Sequence, residues 1–290
     1  MQSGRKIPAG SEKKALCPES AEQEADTVKL GVIGAGNMGT AIIKGYIASG
    51  ADPETIFVTG HNAARTEAFA RETGIGICGD IPSLVQQSDI VMAAVKPKDM
   101  AEALAEAAPH LGEEKILVSI AAGLTLSDLK GMTGGKDNIV RVMPNTPAMV
   151  NEGMSALCRE SGVSDEDFAQ VMKIFEGIGR AEEVPEKLMD AVVGVSGSSP
   201  AFVYMFIEAL ADGAVLEGMP RASAVRFAAQ TVLGAAKMVL ETGQHPGELK
   251  DAVCSPAGTT IEGVYALEEA GFRHAVIRAV KSAAEKSKEM

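Results

Sequence analysis

The sequence has few cysteines, and those it has lie far apart. They form no C-x-x-C pair, and no histidine lies near them at metal-ligand spacing. This excludes a disulfide-stapled module and gives no support for a metal site. We expect each to be a small buried residue in a reducing compartment. The four are Cys17, Cys78, Cys158 and Cys254.

Long hydrophobic runs are also missing. The longest apolar stretch, residues 201–216, is interrupted by Glu208 and Asp212 and is too short and too charged to span a bilayer. Arg5 and Lys6 are followed by no apolar core, so the pattern predicts no secretory signal. Together these absences predict a cytoplasmic protein.

Positive charge is scarce. The chain has 27 lysines and arginines against 39 aspartates and glutamates, a net charge of -12. Such a chain repels phosphate backbones and anionic headgroups, so we expect neither nucleic acid nor a membrane surface as a partner. The length of 290 residues, the 46% hydrophobic content and the absence of tryptophan are typical of soluble globular domains.

The chain divides into three parts by pattern. Residues 1–27 are polar and without periodicity, which predicts a flexible leader. Short apolar runs then alternate with helical spacing, and this alternation predicts an α/β class with a Rossmann-type, doubly wound parallel sheet over residues 28–185. The predicted strands are 29–34, 55–59, 89–95, 115–120, 138–143, 154–157 and 180–184. The predicted helices between them are 38–49, 63–73, 99–108 and 164–178.

Residues 186–290 change to almost continuous helix, so we expect a second, all-helical domain there. Predicted breaks fall at 194–200, 218–220, 243–247 and 255–258. The helices over 201–217 and 220–240 carry apolar or small residues around most of their circumference, which a helix exposed on one side would not tolerate. This predicts a dimer formed through the second domain.

A glycine-rich turn follows the first predicted strand and precedes a helix, which is the context of the G-x-G-x-x-G fingerprint. Its glycines suit a tight turn, close approach to a pyrophosphate and close packing of helix on strand. The alternative is a glycine turn without a ligand, and the β-α context favours dinucleotide binding. The turn consists of Gly34, Ala35, Gly36, Asn37, Met38 and Gly39.

The end of the second strand bears on the choice of cofactor. NAD enzymes usually place a carboxylate there to bind the ribose, and none follows Thr59. Asn62 and Arg65 could instead contact a 2′-phosphate, so we expect NADPH, with NADH as the alternative. For Arg65 the other interpretation is a solvated charge in the first turn of a helix.

Three later strand ends are expected to meet the cofactor at the carboxyl edge of the sheet. One ends in small residues that leave room for a nicotinamide ring, and another places an asparagine between two prolines. The candidate residues are Ala94, Val95, Lys96, Pro97, Ala121, Ala122 and Asn145.

In the second domain, the loop S-P-A-G-T-T at residues 255–260 precedes a helix. Its hydroxyls and backbone N–H groups can bind a carboxylate, although an ordinary helix cap is the alternative. The sequence shows no Ser-His-Asp set and no paired carboxylates. The sequence also shows no cluster of metal-ligating residues, so a catalytic metal is not expected.

These segments, in this order from Lys29 to the last helix, resemble the pyrroline-5-carboxylate reductase family. The most specific is HPGELKDAVCSPAGTTIE, residues 245–262, because the nucleotide loops recur in related dehydrogenases. The resemblance implies a dinucleotide domain joined to a helical dimerisation domain, with the active site between them and further assembly in some members. It also implies NAD(P)H-dependent reduction of the C=N bond of 1-pyrroline-5-carboxylate to L-proline.

The resemblance further implies roles for individual residues. Thr260 matches the hydroxyl that hydrogen-bonds the ring nitrogen, and Ser255 with the backbone of Gly258 and Thr259 matches the carboxylate cradle. Glu186 corresponds to a substrate-side acid in some members. Two residues depart from the family's pattern, since Ser199 and Ala257 stand where glycine is frequent.

Two other functions remain open at this point. One is a related imine or β-hydroxyacid reductase, for which Lys237 or Lys250 would be the catalytic lysine. The other is a dinucleotide-binding sensor without activity, against which the hydroxyls of Ser255 and Thr260 argue.

Overall fold

The computed structural model describes residues 28–289, which form a sheet of eight strands and two groups of helices. The spatial order of the strands is β3-β2-β1-β4-β5-β6-β7-β8, and neighbours run parallel except β6 and β7. This confirms the predicted doubly wound sheet and adds a reversal near one edge. The strands are β1 (Leu30–Ile33), β2 (Ile56–Thr59), β3 (Gly76–Ile77), β4 (Ile90–Ala93), β5 (Ile116–Ser119), β6 (Ile139–Met143), β7 (Gly153–Arg159) and β8 (Gly179–Glu183).

Within the described residues, six helices cover the two faces of the sheet. Most begin at a polar side chain that accepts a hydrogen bond from the first turn, as Asn62, Asp80, Thr125 and Ser164 do. These helices are α1 (Asn37–Ala48), α2 (Ala63–Thr73), α3 (Ile81–Gln87), α4 (Pro97–Ala107), α5 (Leu126–Met132) and α6 (Asp165–Glu176).

The core lies on both faces of the sheet, which is why the central strands are apolar throughout. Every residue of β1, β4 and β5 is buried. On one face Ile42 of α1 and Phe175 of α6 belong to the core, and on the other Leu104 of α4 does. This packing fixes the carboxyl ends of β1, β4, β5 and β6 along one edge.

The second group of helices follows β8. Its two long helices pack against each other and bury little beyond Ala211, Ala224 and Ala228. Many of their other apolar side chains are left exposed, as predicted from the sequence; Leu216 is 87% exposed and Phe227 is 65% exposed. The helices are α7 (Met189–Val192), α8 (Ser199–Leu216), α9 (Arg221–Thr242), α10 (Pro246–Ala252), α11 (Thr259–Glu269) and α12 (Phe272–Ser287).

The predicted break at residues 194–200 is wrong. The segment Val193–Gly197 is a π-helical turn that joins α7 to α8, and the N–H of Ser198 donates to the carbonyl of Val193 at 2.8 Å. The hydroxyl of Ser199 donates to the carbonyl of Gly194 at 2.9 Å. The helix therefore widens for one turn and does not end. The other three predicted breaks separate α8, α9, α10 and α11.

The continuous helical segment Glu186–Leu216 is long and apolar enough to cross a membrane by length and composition, and it is the one such segment among residues 28–289.

The predicted leader and Cys17 lie outside residues 28–289. Of the other cysteines, Cys78 and Cys158 are buried, whereas Cys254 is half-buried and corrects the expectation for that residue.

Candidate active site

The glycine turn after β1 is shaped by close contacts on two sides and is open on the third. Gly34 has a φ of +110°, and a Cβ there would lie 2.7 Å from the carbonyl oxygen of Ala94. A Cβ on Gly39 would lie 2.6 Å from the carbonyl oxygen of Gly34. A Cβ on Gly36 would meet nothing within 4 Å, so the space beside this residue is open.

Helix α1 starts at this turn with no side chain capping it. Gly36 is its N-cap, and the next residues are Asn37 and Met38. The first backbone N–H groups of a helix have no partner within the helix and favour a negative charge. The open side of the turn therefore combines space, N–H donors and positive potential, which suits a pyrophosphate.

A cleft of about 280 Å³ lies beside the turn, at the ends of β1 to β4. Its lining includes Gly34, Thr59 and Val95, and also His61 and Asp80, which the sequence reasoning did not select. Asp80 caps α3 by accepting from the N–H of Ser83, and hydrogen bonds to Ser83 lower the pKa of its carboxyl group. Its place after a two-residue strand gave too little pattern to find it.

Arg65 is brought to the glycine turn by a side-chain hydrogen bond. Its Nη2 donates to Oδ1 of Asn37 at 2.9 Å, across 28 residues of sequence. Asn62 caps α2, because its Oδ1 accepts from the N–H of Arg65 at 3.0 Å. The amide nitrogen of Asn62 is not used in that cap, and the guanidinium group of Arg65 is exposed.

The other strand ends line the same edge of the sheet. Lys96 is the exposed N-cap of α4, and Pro97 is its first residue. Ala121 is buried and Ala122 is half-buried. Asn145 is also buried, and both ends of its amide are used within the protein. Its Oδ1 accepts from the N–H of Met154 at 2.9 Å, and its Nδ2 donates to the carbonyl of Ser196 at 3.0 Å.

Glu186 joins the start of the helical part to the sheet. Its Oε1 accepts from Nη1 of Arg141 at 3.0 Å and from the N–H of Leu126 at 2.7 Å. Arg141 is a buried residue of β6, so this ion pair holds the chain after β8 against the sheet. These contacts show a structural role for Glu186, and its assignment as a substrate-side acid, which the resemblance implies, stays a prediction.

The loop at residues 255–260 lies on the surface of the helical part. Ser255, Thr259 and Thr260 are exposed, and Gly258 is half-buried as the N-cap of α11 with no side chain capping that helix. Helix α11 packs on α12. Among residues 28–289, no backbone hydrogen bond joins this loop to a strand end.

The lysines required by the alternative enzyme are engaged elsewhere. Lys237 lies 3.5 Å from Glu241 on the surface of α9, and Lys250 lies 2.6 Å from Asp251. In the described part of the chain, no group of three histidine, cysteine or acidic residues could hold a metal ion.

Comparison with known proteins decides the family. Residues 186–290 match a family model described as pyrroline-5-carboxylate reductase dimerisation. Residues 29–123 match one described as NADP oxidoreductase, coenzyme F420-dependent. The chain is 52% identical over 263 residues to pyrroline-5-carboxylate reductase of Escherichia coli (strain K12), covering 90% of this chain and 98% of that protein.

The chain belongs to the pyrroline-5-carboxylate reductase family.

Solved structures agree with this placement. The Coxiella burnetii pyrroline-5-carboxylate reductase has a TM-score of 0.87 and 32% identity, covering 91% of this chain and 98% of that one. The Plasmodium falciparum pyrroline carboxylate reductase, solved with NADP bound, has a TM-score of 0.80 and 36% identity, covering 90% and 97%. In this member of the pyrroline-5-carboxylate reductase family, the dimerisation family model covers α8 and α9, the helices with many exposed apolar side chains.

Proposed function

We propose that this protein catalyses the NADPH-dependent reduction of 1-pyrroline-5-carboxylate to L-proline, and so serves proline biosynthesis. The observation that carries the proposal is the glycine turn with its open, uncapped helix start in a chain 52% identical to a pyrroline-5-carboxylate reductase. The NADP in the Plasmodium falciparum structure supports the choice of cofactor.

The turn and its neighbours form the proposed cofactor site. Backbone N–H groups of residues 35–39 bind the pyrophosphate, and Arg65 with Asn62 binds the 2′-phosphate. Residues 94–97 and the small side chains at 121 and 122 border the nicotinamide ribose and ring. NADPH, when bound there, supplies the hydride.

The loop at residues 255–260 forms the proposed substrate site. Ser255 and the N–H groups of Gly258 and Thr259 bind the carboxylate, because the uncapped start of α11 offers donors and positive potential. The hydroxyl of Thr260 holds the ring nitrogen. A protonated imine is already electrophilic, so these residues mainly need to orient it, which agrees with the lack of an acid-base pair.

A second copy of the chain completes the site in this proposal. The substrate loop is exposed, and within residues 28–289 no backbone hydrogen bond joins it to a strand end of its own chain. The exposed apolar side chains of α8 and α9, called the dimer face below, need cover. A homodimer that buries this face can bring each loop to the partner's glycine turn. We place the domain boundary at residue 185, which the start of the dimerisation model at residue 186 supports, and we place the protein in the cytoplasm.

The test follows the absorbance of NADPH with purified protein and 1-pyrroline-5-carboxylate. We expect turnover with this substrate and a modestly higher kcat/KM with NADPH than with NADH. Ketopantoate and a β-keto acid serve as controls, and faster turnover of either one would overturn the proposal in favour of a related reductase.

A further inference from the structure

The π-helical turn Val193–Gly197 lies just before a proline, and that proline removes a hydrogen-bond donor. In an α-helix the N–H at position 200 would be aimed at the carbonyl of Ser196, four residues earlier. Pro200 has no N–H to donate. Instead, Nδ2 of Asn145 donates to that carbonyl at 3.0 Å. A side chain from the end of β6 therefore supplies the donor that the helix lacks.

The same asparagine also holds β7. Its Oδ1 accepts from the N–H of Met154 at 2.9 Å, and the residue is only 8% exposed. One buried amide thus joins the end of β6, the start of β7 and the turn that leads into α8. Because Asn145 is buried and both hydrogen bonds are partly buried, losing either one leaves a polar group of this amide or its partner without its bond.

The turn has little space in which to move. A Cβ on Gly194 would lie 2.7 Å from the carbonyl oxygen of Val280 in α12. A Cβ on Gly197 would lie 2.8 Å from Cε of Met143, the last residue of β6. The backbone of the turn is therefore in direct contact with the sheet on one side and with α12 on the other.

We propose that Asn145 is a positioning residue that fixes the angle at which α8 leaves the sheet, and is not a ligand of the cofactor. Helix α8 carries the dimer face, so this angle sets where the substrate loop lies relative to the cofactor edge. Hydride transfer needs reacting atoms about 3 to 3.5 Å apart, and a displacement of about 1 Å lowers turnover strongly. The inference rests on the proposed function.

The first test is Asn145→Asp, which keeps the oxygen that accepts from Met154 and replaces the donor by an oxygen facing the carbonyl of Ser196. We expect kcat with 1-pyrroline-5-carboxylate to fall by about tenfold or more. The Kd for NADPH, measured by fluorescence on the same preparation, should stay unchanged.

The matched control is Asn138→Asp at the opposite end of β6. Asn138 also donates its Nδ2 to a backbone carbonyl, that of Glu113, and the change in charge is the same. Because this bond lies at the amino edge of the sheet, we expect the control variant to keep the wild-type kcat.

A second variant tests the path through Ser196. Pro200→Ala restores an N–H that can donate to the Ser196 carbonyl, so we expect it to recover part of the kcat lost in Asn145→Asp. A double variant no better than Asn145→Asp alone, a wild-type kcat in Asn145→Asp, or a Kd for NADPH that rises as much as kcat falls would each overturn the inference. If the proposed function itself were wrong, the wild-type protein would show no turnover.

Discussion

Thr260 is the side chain on which the proposed chemistry most directly depends. We expect Thr260→Ala to lower kcat/KM for 1-pyrroline-5-carboxylate by about 10- to 1000-fold, the range for removal of one positioned donor. The Kd for NADPH should barely change, because the proposed cofactor residues lie before residue 186, outside the proposed helical domain. Steady-state kinetics and NADPH titration on one preparation measure both.

A helix cap is the other role for this threonine, and the structure places the N-cap at Gly258. A capping role would cost about 1 kcal/mol of stability and leave turnover intact. Thr73→Ala in α2 is the control, since its hydroxyl donates back to the carbonyl of Phe69 far from the loop. A lowered Tm with near-normal kcat/KM in Thr260→Ala would contradict the catalytic role.

Ala257 shows what a departure from the family's glycine does to the backbone. Its φ is +57°, in the left-handed region that favours glycine. We expect Ala257→Gly to raise the free energy of unfolding by about 0.5 to 1 kcal/mol, because glycine relieves that strain. Denaturant titration at fixed protein concentration measures it.

The control for this change is Ala266→Gly, in the interior of α11. There glycine should lower the free energy of unfolding by about 1 kcal/mol, since the backbone is helical and alanine is the better residue. Equal effects of the same sign at both positions would show that Ala257 is not strained.

Cys158 makes the strand β7 sensitive to alkaline pH. Burial, with a smaller contribution from the charge of Glu186, raises the pKa of its thiol from 9.0 to about 12. The unfolded chain therefore releases this proton first as pH rises. Its contribution to stability is complete below about pH 9 and is lost between there and about pH 12.

We expect Cys158→Ala to flatten the fall in the free energy of unfolding over that pH range. The difference in slope between wild type and variant can reach about 1.4 kcal/mol per pH unit for one proton. Chemical denaturation at a series of pH values measures the two slopes. Parallel slopes, with only a constant offset from the lost side chain, would rule this explanation out.

At the scale of elements, how much the sequence could predict depended on length and pattern. Helix α2 has the predicted bounds, and five strands fall within their predicted ranges. The helix shows its spacing over eleven residues, and each strand is an apolar run. Strand β3 has two residues, while α3 and α5 have seven each, too few to show one. The antiparallel pairing of β7 with β6 could not be predicted either, because an apolar run does not show which way its strand runs in the sheet.

The candidate site was predicted less completely, for a related reason. The glycine turn is local, so sequence context was enough to select Gly34, Gly36 and Gly39. The bond from Arg65 to Asn37 and the ion pair from Glu186 to Arg141 join residues distant in sequence. Such contacts follow from packing, which motifs do not describe.

For the whole molecule, the proposed shared site predicts complementation between two impaired variants. Gly36→Asp has room for its side chain and places a carboxylate where the pyrophosphate would bind. Thr260→Ala damages the substrate loop. If each site uses the glycine turn of one chain and the loop of the other, a mixed dimer contains one site with both defects and one with neither.

We therefore expect purified mixed dimers to regain about half of the wild-type activity, while either variant alone stays well below that level. Two different affinity tags allow the mixed species to be isolated. Activity no higher than that of the parent variants would show that each site lies within one chain. An active, stable monomer near 30.0 kDa in light scattering would remove the dimer altogether.

Two contacts between the β6 region and the helical part also determine where this enzyme could be joined to a relative in a chimera. Arg141 holds Glu186, and Asn145 holds Ser196, so the last strands are fitted to the helices that follow them. One family model ends at residue 123 and the other begins at residue 186. The segment between them contains both Arg141 and Asn145. A helical region taken from a relative would keep these contacts with the sheet only if the relative's segment corresponding to residues 139–185 were transferred with it.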